Sequence, residues 1–448
     1  MEVQTPALLF ASPATGGPPL WLTGARLFDG TFAPLRDGAA VLVDHGRIVR
    51  VGEASDPPPE DAVTVDLRGK TLMPGIINGH MHGVGQVPDA GFGAQPVLPG
   101  TAGHALAAHL REFLRYGITT VRDMGTYGDQ VMECRQAMRF GMFRGARILT
   151  CGLIISSTAP GGLVFDGMYR EADGADEVRK GVREQIRRGA DFIKVMATGA
   201  RSVELEAGVC RDADGAASLP NQLTRDEMAV AVEEASRLGY WVAAHAEGLD
   251  GCEAAVDLGM RTVEHGFYLH RRPDLLDRMA RDGIALVPTF SSSYVFAGLD
   301  LQVGIGSEHV PYCTPELDAV AKANITELEK TLQAARAAGT PIVLGGDDLE
   351  LRRGGAWIEI QRMVHHGLPA QHALVAATSA AAHALGLADF GTVEPGKIAD
   401  LAVVDGNPVE HPEILGERER FWLVLQGGTP VAGSALEVDV AALGRQPA

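Results

Sequence analysis

Few cysteines, few aromatic residues and a shortage of positive charge mark this chain of 448 residues. The five cysteines, Cys134, Cys151, Cys210, Cys252 and Cys313, stand singly with no C-x-x-C spacing. That excludes a disulfide framework and a cysteine-rich zinc module, and it fits reduced thiols in a cytoplasmic protein. No lysine or arginine precedes Arg26, so the short apolar run Ala7-Leu8-Leu9-Phe10 has no basic segment before it and no export signal is expected. No apolar run reaches the roughly 20 residues of a membrane-spanning helix. Lys and Arg number 39 against 57 Asp and Glu, a net charge of −18, and such a surface repels phosphate backbones and anionic membranes. Solenoid repeats and low-complexity tracts are also missing. What remains is 46% apolar residues, enough for a large core, and 55 glycines, enough for many tight turns.

The pattern of those apolar residues divides the chain into three stretches. Residues 1–73 read as all-β, with Trp21–Leu27, Ala39–Val43, Arg47–Val51 and Ala62–Leu67 as short strands separated by Asp-Gly, His-Gly and a proline cluster. Residues 391–448 repeat this character in Ala399–Val404 and Phe421–Leu425. Residues 74–390 alternate instead between apolar strands and amphipathic stretches. The strand candidates are Leu72–Ile77, Thr119–Asp123, Arg147–Cys151, Asp191–Met196, Trp241–His245, Thr262–His265, Ala285–Thr289 and Pro341–Leu344. Arg225–Leu238, Pro273–Arg281 and Pro315–Ala338 read as helices. The expectation is an α/β chain built as a (β/α)8 TIM barrel, with a small β-sandwich assembled from both chain ends.

Metal-capable side chains close several of these strands. His80 and His82, two residues apart, point to one side of an extended segment and can face one ion. Alone, His-x-His is as consistent with ordinary histidines as with ligands. Its place at a strand's C-terminal end, where barrel active sites form, favours ligands. His245 and His265 end two further strands, and either alone could be a satisfied core histidine. Lys194 lies in the apolar run Phe192-Ile193-Lys194-Val195-Met196, where a charged amine needs a partner, and Glu204 or Glu206 would be the structural choice. Asp347 follows Gly345-Gly346, with Asp348 as its neighbouring competitor. The remaining histidines, among them His104, His109, His270, His365, His366, His372 and His383, read as surface or helix-packing residues.

Taken with Pro74-Gly75-Ile76-Ile77-Asn78-Gly79-His80-Met81-His82, Lys194-Val195-Met196-Ala197-Thr198-Gly199, Ala244-His245-Ala246-Glu247-Gly248, Glu264-His265-Gly266 and Glu394-Pro395-Gly396-Lys397-Ile398-Ala399-Asp400, the sequence resembles the amidohydrolase superfamily. It is most similar to the branch of imidazolonepropionase-like proteins and Xaa-Pro dipeptidases. The resemblance implies a binuclear metal-dependent hydrolase of an amide-type C–N bond, in a peptide-like, N-acyl or cyclic amide. By the same resemblance His80, His82 and Asp347 hold one divalent ion and His245 and His265 the other. Lys194, carboxylated by CO2, bridges both. Zinc is the expected metal, with manganese, cobalt or iron able to occupy such a site. A bridging hydroxide attacks the carbonyl, and Asp347, favoured over Asp348 by the family pattern, is general base and then acid. The alternatives on the same fold are a hydrolase of other carbonyl or phosphorus esters, a deaminase, or a dead barrel that only binds. The loop Ser156–Leu163 lacks the histidine many members of the branch carry there. Arg201, after Thr198-Gly199-Ala200, suggests an anionic group on a small-molecule substrate, a salt bridge to Glu204 or Glu206 being the structural alternative. Neither nucleic acid nor membrane is an expected partner, and a homo-oligomer is allowed but not demanded.

Overall fold

The computed structural model describes residues 17–83, 99–200, 219–297, 299, 315–347 and 355–438. The chain opens with five strands, β1 (Leu20–Leu27), β2 (Arg36–Asp44), β3 (Arg47–Glu53), β4 (Val63–Asp66) and β5 (Lys70–Pro74). There follow β6 (Ile76–Met81), β7 (Ile118–Asp123), β8 (Arg147–Thr150), β9 (Ile154–Ser156) and β10 (Tyr169–Glu171). Next come β11 (Ile193–Met196), β12 (Val242–Ala246), β13 (Thr262–His265) and β14 (Ala285–Val287). The last strands are β15 (Leu401–Asp405), β16 (Phe421–Gln426) and β17 (Thr429–Ala432).

Both chain ends meet in one eight-stranded sheet, in the order β17-β16-β15-β5-β1-β2-β3 with β4 beside β1. The seam is the antiparallel ladder of β15 on β5, from Leu401 opposite Pro74 to Asp405 opposite Lys70. Leu22, Val41, Leu72, Val403 and Leu425 fill its apolar face, so residues far apart in sequence share one core. The joining of the ends matches the sequence reading. The pairing, however, runs through a single sheet, and two facing layers of a sandwich are not separated by it.

The other strands pair in parallel, and β6, β7, β12 and β13 among them are buried on both faces, as strands covered by helices must be. They form two arcs, β6-β7-β8 and β10-β9-β11-β12-β13-β14. Backbone bonds cross both gaps between the arcs. On one side the Asp191 N–H donates to Thr150 O at 2.8 Å. On the other, residues 342–347 lie between β14 and β6: Val343 N–H donates to Leu286 O at 2.9 Å, Gly79 N–H to Leu344 O at 2.7 Å, and Asp347 N–H to His80 O at 2.9 Å. The expected strand Pro341–Leu344 is therefore reduced to a single parallel bridge of Ile342 with Leu286. Pro341 has no N–H to give, and the chain approaches β6 so closely that a Cβ on Gly345 would stand 2.6 Å from that of His80.

The expected helices are present. Arg225–Arg237 begins with a capping box in which Thr224 and Glu227 satisfy each other's backbone N–H, and Pro273–Asp282 begins on its proline. Pro315–Ala338 is the longest of the described helices, at 24 residues. No helix among the described residues is long and apolar enough to cross a membrane.

Candidate active site

His80 closes β6 with Met81, and His82 follows it. Lys194 sits within β11, His245 within β12, His265 at the end of β13, and Asp347 at the end of the inserted segment. All six line one cavity. Arg201, the proposed anion contact, lies outside the described residues, as do Glu204, Glu206 and Asp348.

The local backbone is laced to hold these groups. Asn78 Oδ1 accepts the N–H of His80 at 3.2 Å and that of Gly346 at 3.4 Å, tying β6 to the turn that presents Asp347. His265, Thr289 and Asp347 adopt left-handed backbone, with φ of 71°, 57° and 51°. Such geometry is unfavourable for residues with a Cβ and persists where surrounding contacts fix it.

Three of the four imidazoles, those of His80, His82 and His265, are aimed by a partner on Nδ1. His80 Nδ1 donates to Glu264 Oε2 at 2.7 Å, and His82 Nδ1 to the Gly125 carbonyl at 2.8 Å. His265 Nδ1 lies 2.7 Å from Thr289 Oγ1. With acceptors on Nδ1, the Nε2 atoms of His80 and His82 face inward, 3.4 and 3.2 Å from Asp347 Oδ1. Nε2 of His245 is buried with no hydrogen-bond partner, and Glu247 Oε1 comes only to 3.5 Å. A buried orphan of this kind calls for a partner the protein does not supply.

Burial sets the protonation of the donors. It pushes His80 down to about 4 and His265 down to about 3, and it holds His245 well below its ordinary value, so all three are neutral near pH 7. Burial acts on His82 in the same direction, but the bond to Asp347 and its charge, the Gly125 carbonyl and the Asp123 charge together outweigh it and raise the pKa. Burial would raise Asp347 too, yet the surrounding histidines hold its carboxyl well below the usual range. Lys194, 2% exposed, is drawn down to about 8 by burial, within reach of a neutral amine whose lone pair can attack the carbon of CO2.

Neutral imidazoles, a carboxylate and an available amine form a donor set suited to divalent cations. Ligand atoms of His80, His82 and Asp347 lie within 4.8 Å of one another, close enough to share one ion. The residues present therefore fit a metal.

Behind the site lies an ion pair that the sequence reading did not single out. The Arg122 guanidinium donates to both Glu264 oxygens, at 3.0 and 2.9 Å, and to Thr262 Oγ1 at 3.0 Å. Its Nε donates to Gly79 O, just before His80. The partial signal is a charged residue within each of two strands, Arg122 in Ile118–Asp123 and Glu264 in Thr262–His265, since a charge buried in a sheet needs a partner. Glu264→Gln should leave the Arg122 charge buried and poorly compensated, lowering unfolding free energy by about 3–5 kcal/mol. Urea denaturation of the metal-free protein measures this, and pairing the change with Arg122→Met should recover part of the loss. No recovery in the double variant would assign the cost to lost packing instead.

The comparisons with known proteins bear on the chain as a whole. The profile of the amidohydrolase family matches residues 71–433. The chain is 30% identical to an ochratoxinase of Aspergillus niger over 467 residues, covering 97% of this chain and 91% of that one. It is 27% identical to an imidazolonepropionase of Paracoccus denitrificans, over 86% of this chain and 92% of that one. A solved Xaa-Pro dipeptidase with methionine bound in its active site has a TM-score of 0.78 at 26% identity, covering 92% of this chain and 99% of that one. These likenesses make the α/β fold TIM-barrel-like.

Proposed function

Because this chain belongs to the amidohydrolase family, whose members in the comparison hydrolyse carbon–nitrogen bonds, we propose that it cleaves an amide-type C–N bond at a centre for two divalent ions. The substrate is a linear peptide-like, N-acyl or cyclic amide, and Xaa-Pro dipeptides belong in the first screen because a solved relative acts on them. On this reading the two parallel arcs are the wall of a (β/α)8 barrel over residues 74–390, with residues 1–73 and 391–448 forming its small β-domain. The observation that carries the proposal is the convergence of His80, His82 and Asp347 in a cavity that Lys194, His245 and His265 also line.

His80, His82 and Asp347 would hold one ion, His245 and His265 the second, and a carboxylated Lys194 would lie between them. Zinc suits this histidine and carboxylate set. Bound there, the ions supply Lewis acidity toward a carbonyl oxygen and lower the pKa of a water. The protein's own contribution is orientation and proton transfer. Glu264, Gly125 and Thr289 fix the imidazoles, so nothing at the centre has to reorganise during the reaction. Asp347 takes the water's proton and hands it to the leaving nitrogen. Its low affinity for a proton in the resting site keeps it ready as the base.

Elemental analysis of protein grown with zinc should find close to two ions per chain, and a chelator should abolish hydrolysis of N-acyl amino acids, Xaa-Pro dipeptides or cyclic amides. Metal near zero, with activity intact in chelator, would overturn the reading.

A further inference from the structure

The cavity extends beyond the ligand cluster, and its character changes there. Its charged lining groups are gathered at the histidine and Asp347 end. Away from that end, the walls the described residues provide are largely apolar. Phe165, Met168 and Tyr169 form one group, from the turn after the short helix Pro160–Val164 to the first residue of β10, and belong to one hydrophobic cluster. Phe267, Phe296 and Val320 form the other, from the residues after β13 and from the helices Phe290–Phe296 and Pro315–Ala338.

The rings are placed for aromatic contact. Phe165 and Tyr169 have centroids 5.8 Å apart at an interplanar angle of 39°. The ring of Phe267 lies 5.9 Å from that of the candidate ligand His265, so one apolar wall begins directly beside the reacting centre. Separations of 4.5–7 Å in tilted or offset geometry are the range in which aromatic groups attract one another. Apolar lining with a few convergent polar groups is how small-molecule sites bind and orient their ligands. A small polar amide would leave these walls in contact with water, while a ring next to the scissile bond would cover them.

We propose that the amide cleaved here carries an aromatic or bulky apolar group beside its scissile bond, seated between the Phe165–Tyr169 wall and the Phe267–Phe296 wall. This rests on the amide-hydrolase reading above and names the substrate class within it.

The zinc-loaded full chain is assayed with three probes: N-acetylglycine, N-benzoylglycine and N-acetylphenylalanine. The benzoyl probe places a ring on the acyl side, and the phenylalanine probe places one on the amine side. At least one aromatic probe should exceed N-acetylglycine in kcat/KM by on the order of 10²-fold, since even a single methylene in an apolar pocket is worth about 10–200-fold. Phe165→Ala and Phe296→Ala, one from each wall, should each shrink that ratio by about tenfold or more while metal content stays at the wild-type value. A wild-type ratio near one, or a preference for N-acetylglycine, overturns the inference and leaves the amide reading standing. So does a ratio that neither variant changes. Failure to hydrolyse any of the three probes counts instead against the amide reading. In that case calorimetric titration decides the inference by itself: tighter binding of either aromatic probe than of N-acetylglycine supports it, and equal or weaker binding overturns it.

Discussion

Lys194→Ala should strip the protein of at least one of its two ions and of nearly all its activity. Two doubly charged cations about 4 Å apart repel each other by about 4 kcal/mol even at the dielectric constant of water, and by more in a buried site. Three of the four histidines proposed as ligands, His80, His245 and His265, are held neutral in the resting site, chiefly by burial, and an imidazole carries no negative charge to offset that repulsion. Asp347 supplies one negative charge, and the carbamate on Lys194 would supply the other. Losing about 4 kcal/mol corresponds to roughly a 10³-fold weaker hold on the second ion, with turnover falling at least as far. The side chain is buried in β11 and its truncation leaves a small hole, so circular dichroism should report a folded chain. Elemental analysis should then find one ion or fewer per chain. Acetate or propionate, able to place a carboxylate in the vacated space, should restore part of both metal and turnover. A variant that keeps two ions and wild-type turnover removes Lys194 from the bridge.

The ligand candidates were readable because each interrupts or ends an apolar strand with a group that cannot be buried without a reason. His80, Lys194, His245, His265 and Asp347 all stand out in this way, and the structure brings them to one cavity. The groups that aim them were not readable, since their partners are fixed only by tertiary structure. Arg122 and Glu264 are 142 residues apart, and nothing local to either strand says they meet. The sequence pattern alone predicts a strand ending at Thr289. The strand stops at Val287, and the left-handed turn at Thr289 brings its hydroxyl to His265. Strand boundaries failed for similar reasons. The expected strand Leu72–Ile77 is two strands belonging to different sheets, parted at Gly75, where a Cβ would stand 2.4 Å from Thr119 Oγ1. β9 and β10, at three residues each, are too short to show any periodicity. That both chain ends are β was plain from alternation, but their union in one sheet depends on β5 finding β15 across more than 300 residues, which no local pattern encodes.

Asp347→Asn should separate metal binding from proton transfer. Asparagine keeps an oxygen where Oδ1 now stands 3.2 Å from His82 Nε2 and 3.4 Å from His80 Nε2, so one ligating atom survives. The backbone need not change either, because asparagine tolerates the left-handed φ of 51° as well as aspartate does, and the N–H bond to His80 O is untouched. What disappears is a carboxylate able to accept a proton and return it. General acid–base transfer is worth about 10²–10⁴-fold, so kcat should fall by that factor while metal content stays within the wild-type range. KM should change little, since no substrate contact is removed. The neighbouring Asp348→Asn serves as the control and should leave kcat near the wild-type value. An equal collapse in metal content and kcat for Asp347→Asn would make Asp347 a ligand with no separate role in proton transfer. A collapse confined to Asp348→Asn would mean that the proton passes through the second aspartate.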